Sequence, residues 1–274
     1  MITEPAETPN EAPARVAVLI PAYNPGSDIN RAVESLINNT YPCDICIVDD
    51  GSNVPIAQIL GDFPRTEIIR LPKNMGVVKA RNAGLAAILK RNYEFVACLD
   101  ADDVSYPDRI KTQVEFLDRH PEIAAVGSWA RHVAEEGGRF LFIEETPESP
   151  QEVKRALNYN SAINNTTFMV RTDVLKTVGF YSERYPVAED YELFRRICRR
   201  FPMANVPVIL VDRHLSSKGL SLTRRRRQLW DRFRIQLRYF NAAEPDSWLG
   251  ALKTVLLFFV PVALLMKIKK LLSA

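Results

Sequence analysis

Four short apolar runs, each cut off by polar residues, constrain this chain more than any other feature. Arg15–Ile20 (RVAVLI), Cys43–Val48 (CDICIV), Glu67–Leu71 and Phe95–Leu99 are short and largely apolar, as expected of strands buried on both faces. Segments of helical period lie between them. Ile29, Val33, Leu36 and Ile37 share one helical face, with Ser27 or Asp28 as the N-cap. The turn Asn74-Met75-Gly76 leads into a second helix through Val78, Leu85 and Leu89. Such alternation predicts an α/β fold, a mostly parallel central sheet with helices on both faces. In sheets of this kind ligands bind beyond the carboxyl ends of the strands.

Three strand ends carry unusual polar residues: Pro21-Ala22-Tyr23-Asn24, Asp49-Asp50-Gly51-Ser52 and Asp100-Ala101-Asp102-Asp103. The last gathers three carboxylates within four residues. They repel one another, and holding them together costs free energy unless a cation offsets the charge. Asp100-x-Asp102 offers hard oxygen ligands to Mg²⁺ or Mn²⁺, with phosphate oxygens and water completing the shell. A diphosphate is a natural second ligand, because a metal there stabilises it as a leaving group. Neither G-x-x-x-x-G-K-[ST] nor G-x-G-x-x-G occurs, which argues against a P-loop NTPase or a Rossmann dehydrogenase.

Past Arg109 the alternation weakens. Helices are expected over Ile110–Arg119, Gln151–Leu157, Asp173–Val178 and from Glu189-Asp190 through Arg200. Strands are expected within Ile123–Val133, over Thr167–Val170 and over Val206–Val211, and residues 144–151 read as an acidic loop. Cys43, Cys46, Cys98 and Cys198 read as small core residues in a reducing compartment. A zinc site at Cys43-x-x-Cys46 would need two further ligands at suitable spacing, and none is present. A formal charge of +3 gives no reason to expect a nucleic-acid partner.

Five segments occur in an order and spacing that resemble inverting glycosyltransferase family 2, of GT-A fold. They are Ile20-Pro21-Ala22-Tyr23-Asn24, Val48-Asp49-Asp50-Gly51-Ser52, Asn74-x-Gly76-x-x-x-Ala80-Arg81-Asn82-x-Gly84, Leu99-Asp100-Ala101-Asp102-Asp103 and Glu189-Asp190. The resemblance spans residues 15–215 and implies a nucleotide-binding half (15–109) and an acceptor-binding, catalytic half (110–220) of one domain. It implies that Pro21, Ala22, Tyr23, Asn24 and Asp50 bind the nucleotide-sugar, with Arg81 near its ribose or diphosphate and Asp100 facing ribose or metal. Asp102 is then the principal ligand of Mn²⁺ or Mg²⁺, His214 a second metal or diphosphate contact, and Asp190 the general base, with Asp103 and Glu189 in support. The Q-x-x-R-W signature of processive members is missing, and Arg227-Gln228-Leu229-Trp230 comes nearest to it. Transfer of a single sugar is therefore expected, from a UDP- or dTDP-sugar to a glycan or lipid-linked acceptor. Alternatives are a polyprenyl-phosphate glycosyltransferase of the same fold and a non-catalytic nucleotide-sugar-binding scaffold.

Plainer readings stand beside these. Asp50 is also a common turn residue before glycine, and Glu189-Asp190 also suits a helix start. Arg81 also reads as a solvated helix residue and His214 as a structural one. Arg224 to Arg227 read as a solvated helix face, a diphosphate clamp or a patch for anionic lipid.

The ends differ from the middle. Residues 1–14 are polar, with three prolines, and read as a disordered tail; residues 221–274 read as a basic and hydrophobic helical extension. Within it, Thr254–Met266 (TVLLFFVPVALLM) is almost wholly apolar, with Lys267, Lys269 and Lys270 after it. That run is shorter than the roughly 20 residues of a spanning helix. A helix lying in the membrane interface through residues 249–272 is expected, at the cytoplasmic face of the cell membrane. A short span and a core-packed or dimer-forming helix are the alternatives.

Overall fold

The computed structural model describes residues 14–134, 138–215 and 225–260. Most of the expected tail, Arg224 and the stretch 261–274 lie outside the described residues.

The first four strands are β1 (Val16–Ala22), β2 (Asp44–Asp49), β3 (Thr66–Arg70) and β4 (Phe95–Cys98). They pair in parallel in the order β3-β2-β1-β4. Helices α1 (Asp28–Ile37), α2 (Ile56–Ile59) and α3 (Val77–Ile88) connect them. Because side chains alternate along a strand, β1 feeds two cores. Ala17 and Leu19 meet Leu85 and Ile88 of α3 on one face, whereas Val16, Val18 and Ile20 meet Ile29, Val33 and Leu36 of α1 on the other. Each fully buried Val, Leu or Ile side chain among them contributes about 1.5–3 kcal/mol.

The second half extends the same sheet with mixed pairing. Its strands are β5 (Val104–Ser105), β6 (Ala125–Ala134), β7 (Phe140–Glu144), β8 (Met169–Arg171) and β9 (Met203–Leu215). The full order is β3-β2-β1-β4-β8-β6-β9-β5, with β7 on β6. Strand β8 runs antiparallel between β4 and β6, and β9 pairs in parallel with β6. Helices α4 (Arg109–Arg119), α5 (Pro150–Ala156), α6 (Thr172–Val178) and α7 (Glu189–Cys198) intervene, with a 3₁₀ turn at Asn165–Thr167. Helix α5 starts with a full capping box between Ser149 and Glu152, with proline in its first turn.

Strand β9 is longer than the expected Val206–Val211. Its pairing with β6 skips Pro207 and Val208 in a bulge, so proline interrupts the ladder without ending the strand. Two further helices follow, α8 (Arg225–Arg238) and α9 (Pro245–Phe259). The apolar C-terminal helix therefore starts nine residues before Thr254, at a first-turn proline. Val260, just before Pro261, is already extended, as the residue preceding a proline prefers. Among the described residues no helix is long and apolar enough to cross a membrane.

Candidate active site

The loops after β1 and β2 and the turn before α3 are laced together. The Asn24 backbone N–H donates to Ser52 Oγ at 2.9 Å, and the Asn53 N–H donates to Asn24 Oδ1 at 2.8 Å. Asn24 takes a positive φ of 49°, which asparagine tolerates better than most residues. Asp49 is fully buried and accepts from the backbone N–H groups of Ser52 and Ile56 and from Arg70. Burial pushes its carboxyl up, but these donors hold it below the usual carboxylate range. Asp50 points the other way. Its two oxygens accept from the N–H groups of Met75 at 2.7 Å and Gly76 at 2.8 Å. Gly51, directly after Asp50, has φ +70°, and a Cβ there would lie 2.3 Å from the Lys73 carbonyl carbon, so only glycine fits. Beside this clamp Tyr23 is 48% exposed at the tip of β1.

The acids at the end of β4 are not equivalent. The Asp100 N–H donates to Thr166 Oγ1, and the Asp100 side chain accepts from Arg81 at 3.1 Å. Asp103 is buried; its Oδ1 accepts the His214 backbone N–H at 2.9 Å, and its Oδ2 has no partner among the described residues. Asp102 stays open to solvent. Even so, partial desolvation and then the neighbouring Asp100 charge push its carboxyl up to about 6. Burial first, then the Asp100 and Asp102 charges, push the Asp103 carboxyl well above its ordinary range. Beneath the acids, the fully buried Arg109 donates to the Cys98 carbonyl at 2.6 Å and to Gln113. Burial lowers its guanidinium to about 10 despite the nearby acids.

These shifts make a prediction for the metal-free protein. The folded state binds the Asp102 proton more tightly than an unfolded aspartate of pKa about 3.9. The stability this supplies is complete below about pH 4 and is lost as pH rises through about 6. Urea midpoints across that window should fall with pH, and added Mn²⁺ should flatten the slope.

Arg81 joins the two halves of the site. Buried on α3, it donates to Asp100 and to Glu189 at the start of α7, and its guanidinium lies 5.4 Å from the Tyr181 ring centroid. Burial works against its charge, but Glu189 and Asp100 raise it above its ordinary value. Burial pushes Glu189 up to about 7 against the pull of Arg81. Asp190 is next in sequence, partly exposed, with Oδ1 accepting the Tyr191 N–H at 2.6 Å. The strand-end acids and Asp190, some 90 residues apart in the sequence, are thus tied to one edge of the sheet.

His214 reaches this edge on β9. Its ring Nδ1 is buried with no partner among the described residues, and burial, followed by Arg31, lowers its imidazole. A neutral imidazole is the form that ligates metals. Among the described residues, no three His, Cys, Asp or Glu side chains are placed to hold a metal by themselves.

Residues 17–179 match the family model described as Glycosyl transferase family 2. The chain belongs to that family. A curated family relative, the amylovoran biosynthesis glycosyltransferase AmsE of Erwinia amylovora, is 26% identical over 252 residues, covering 89% of this chain and 91% of AmsE. The crystal structure of S. aureus TarS 1–349 in complex with UDP-GlcNAc matches with a TM-score of 0.63 at 21% identity, over 83% of this chain and 67% of that one. The chain spans 40% of a longer TarS structure. The mannosyltransferase PcManGT from Pyrobaculum calidifontis, in complex with GDP-Man and Mn²⁺, matches with a TM-score of 0.63 at 16% identity, over 88% of this chain and 68% of that one. These likenesses show the GT-A fold of the family 2 chain.

Several residues at this sheet edge escape sequence reasoning. Arg213, beside His214 on β9, lies near Asp103, Asp100, Glu144 and Asp190. Burial works against its charge, and these carboxylates raise it above its ordinary value. Thr166 supports Asp100 from the 3₁₀ turn, and Tyr181 bonds Asn165 Oδ1 at 3.0 Å while facing Arg81. A cation flanked by Asp212 and His214 at the end of an apolar strand was the one available signal. Arg227, in the arginine run, pairs instead with the fully buried Asp231 of its own helix.

Proposed function

We propose that this glycosyltransferase is metal-dependent and moves one sugar, with inversion, from a nucleoside-diphospho-sugar to a hydroxyl of a glycan or lipid-linked acceptor. The carrying observation is the Arg81 bridge, which fixes Asp100 and the start of α7 at one sheet edge. Tyr23, Asn24 and Asp50, with Pro21 and Ala22 behind them, form the nucleoside rim. Asp50 keeps spare acceptor capacity, since each carboxylate oxygen offers two lone pairs and each takes one backbone donor here. Arg81 and Arg213 are the cations near the diphosphate. Asp190 accepts the acceptor proton as the new oxygen–carbon bond forms and the bond to diphosphate breaks, so no enzyme nucleophile is needed.

The donor set fits Mn²⁺ or Mg²⁺. Asp102 with His214 would hold it, supported by Asp103, and the crowded carboxylates and unpartnered His214 Nδ1 suit a cation completed by diphosphate oxygens. When bound, the metal supplies charge stabilisation to the departing diphosphate. On this reading the enzyme works at the cytoplasmic face of a membrane, where a lipid-linked acceptor is presented.

Titration calorimetry with UDP, dTDP and GDP, with and without Mn²⁺, tests the proposal. One diphosphate should bind at least about tenfold more tightly with the metal, and Asp102→Asn should remove that gain. Binding that ignores the metal for every nucleotide would refute metal dependence. A screen of nucleotide-sugars carrying the preferred base then identifies the donor.

A further inference from the structure

Helix α9 is built inside out. Its buried residues are Ser247, Gly250 and Thr254, which are small. Gly250 rests on the body so closely that a Cβ would lie 2.1 Å from the Asn158 carbonyl oxygen. Its exposed residues are large and apolar: Trp248, Leu249, Leu252, Val255, Leu256 and Phe259, the last 81% exposed. At about 100° per residue these six fall within an arc of about 120°. Contiguous apolar surface of this kind marks a binding face.

A basic cleft opens at the root of that face. It has a volume of about 380 Å³ and is lined in part by Lys154, Arg195, Arg199 and Arg238. Three of these guanidiniums, from Arg195, Arg199 and Arg238, lie 5.5, 5.7 and 5.9 Å from the Tyr239 ring centroid. Glu244, also in the wall, is engaged by Asn158 and Asn241. Lys154 and Arg199 have no ion pair among the described residues. The cleft and the helix face are continuous, because Phe240 of the wall packs edge-on against Trp248 at 4.8 Å. Surplus positive charge beside an apolar strip matches an anionic amphiphile, with its phosphate in the cleft and its chains along the helix.

We propose that this cleft seats the phosphate of an anionic membrane lipid while the outer face of α9 lies among the acyl chains. The proposal rests on the membrane contact proposed above and gives it residues and a lipid class. It is favoured over a second copy of the chain by charge. A two-fold dimer would leave the positive charge of both clefts uncompensated, because each copy offers the same surplus, whereas an anionic bilayer neutralises it. The sequence after α9 points the same way, running through Val262–Met266 into Lys267, Lys269 and Lys270.

Co-sedimentation of the full chain with vesicles of phosphatidylcholine, alone or mixed with phosphatidylglycerol, tests this. The wild type should bind the mixed vesicles about tenfold or more tightly than phosphatidylcholine alone. Lys154→Glu with Arg199→Glu should reduce that difference at least about threefold, the remainder coming from the lysines after α9, and leave binding to phosphatidylcholine unchanged. Leu252→Glu with Phe259→Glu should abolish binding to both, and all variants should keep donor binding and thermal midpoint. If the cleft variant binds mixed vesicles as the wild type does, the cleft assignment fails and membrane contact stands. If the wild type binds no vesicle, both fail; a dimer dissociated by Leu252→Glu with Phe259→Glu would then assign the face to a second copy. Inorganic phosphate that raises the thermal midpoint only when Lys154 and Arg199 are intact, with no effect of the cleft variant on vesicles, would assign the cleft to a soluble phosphate instead.

Discussion

Asp190→Asn is expected to lower kcat by about 10²–10⁴-fold while donor affinity stays within about twofold. The substitution isolates proton acceptance. Asp190 Oδ1 already accepts the Tyr191 N–H at 2.6 Å, and an asparagine oxygen can keep that bond and the start of α7 with it. What is lost is the charged oxygen that, on the proposed reading, takes the acceptor proton. Single-turnover transfer measured beside calorimetric binding of the donor separates the two effects. A variant with full turnover would move the base role elsewhere, and a variant that loses donor binding in proportion to rate would make Asp190 a binding residue.

Arg81→Met is expected to destabilise the fold by about 3–5 kcal/mol, the cost typical of stranding one partner of a buried ion pair. Methionine keeps much of the buried stem, so the loss reports the charge rather than a cavity. Without the guanidinium, Glu189 is left at 8% side-chain exposure with no cation bonded to it, and Asp100 loses the same partner. A loss of this size is a large share of the about 5–15 kcal/mol that stabilises an ordinary domain. The pH dependence has a definite sign. Glu189, already pushed up to about 7, rises further once Arg81 is gone and so holds its proton up to higher pH. The deficit measured by urea unfolding should therefore be smaller at about pH 5 than at about pH 8. Adding Glu189→Gln to Arg81→Met should recover part of it, and equal deficits at both pH values would show that the stem, not the charge, supports this junction.

The parallel half was legible because its information is local. Each of its strands is a short apolar run followed by Pro or Asp, and the expected bounds differ from β1 to β4 by only a residue or two. Strand alternation and the face of α1 carried the two-core arrangement as well. The second half was harder to read because its pairings are distant. Strand β9 gains its length from β6, about eighty residues away, across a bulge that hides Pro207. Strand β7 at Phe140–Glu144 and the very short β5 and α2 left no periodic trace. The candidate site divides in the same way. Asp50, Asp100, Asp102 and Asp190 stand in recognisable clusters, whereas Arg213, Thr166 and Tyr181 are single polar residues given meaning only by tertiary contact. Asp49 lay in plain view beside Asp50, but nothing in the sequence shows which of two adjacent carboxylates turns inward to hold the Ser52 turn and Arg70.

The lacing between the loops after β1 and β2 and the turn before α3 has a kinetic consequence. Asn24, Ser52 and Asn53 cross-link the first two, and Asp50 clasps Met75 and Gly76 of the third. On the proposed reading, a nucleoside arriving at this rim would meet backbone that is already set, so little loop entropy would be surrendered on contact. Capture of that end of the donor would then approach rigid-body docking, with an association rate governed by diffusion and orientation, and differences among bases would fall mainly on how long each stays.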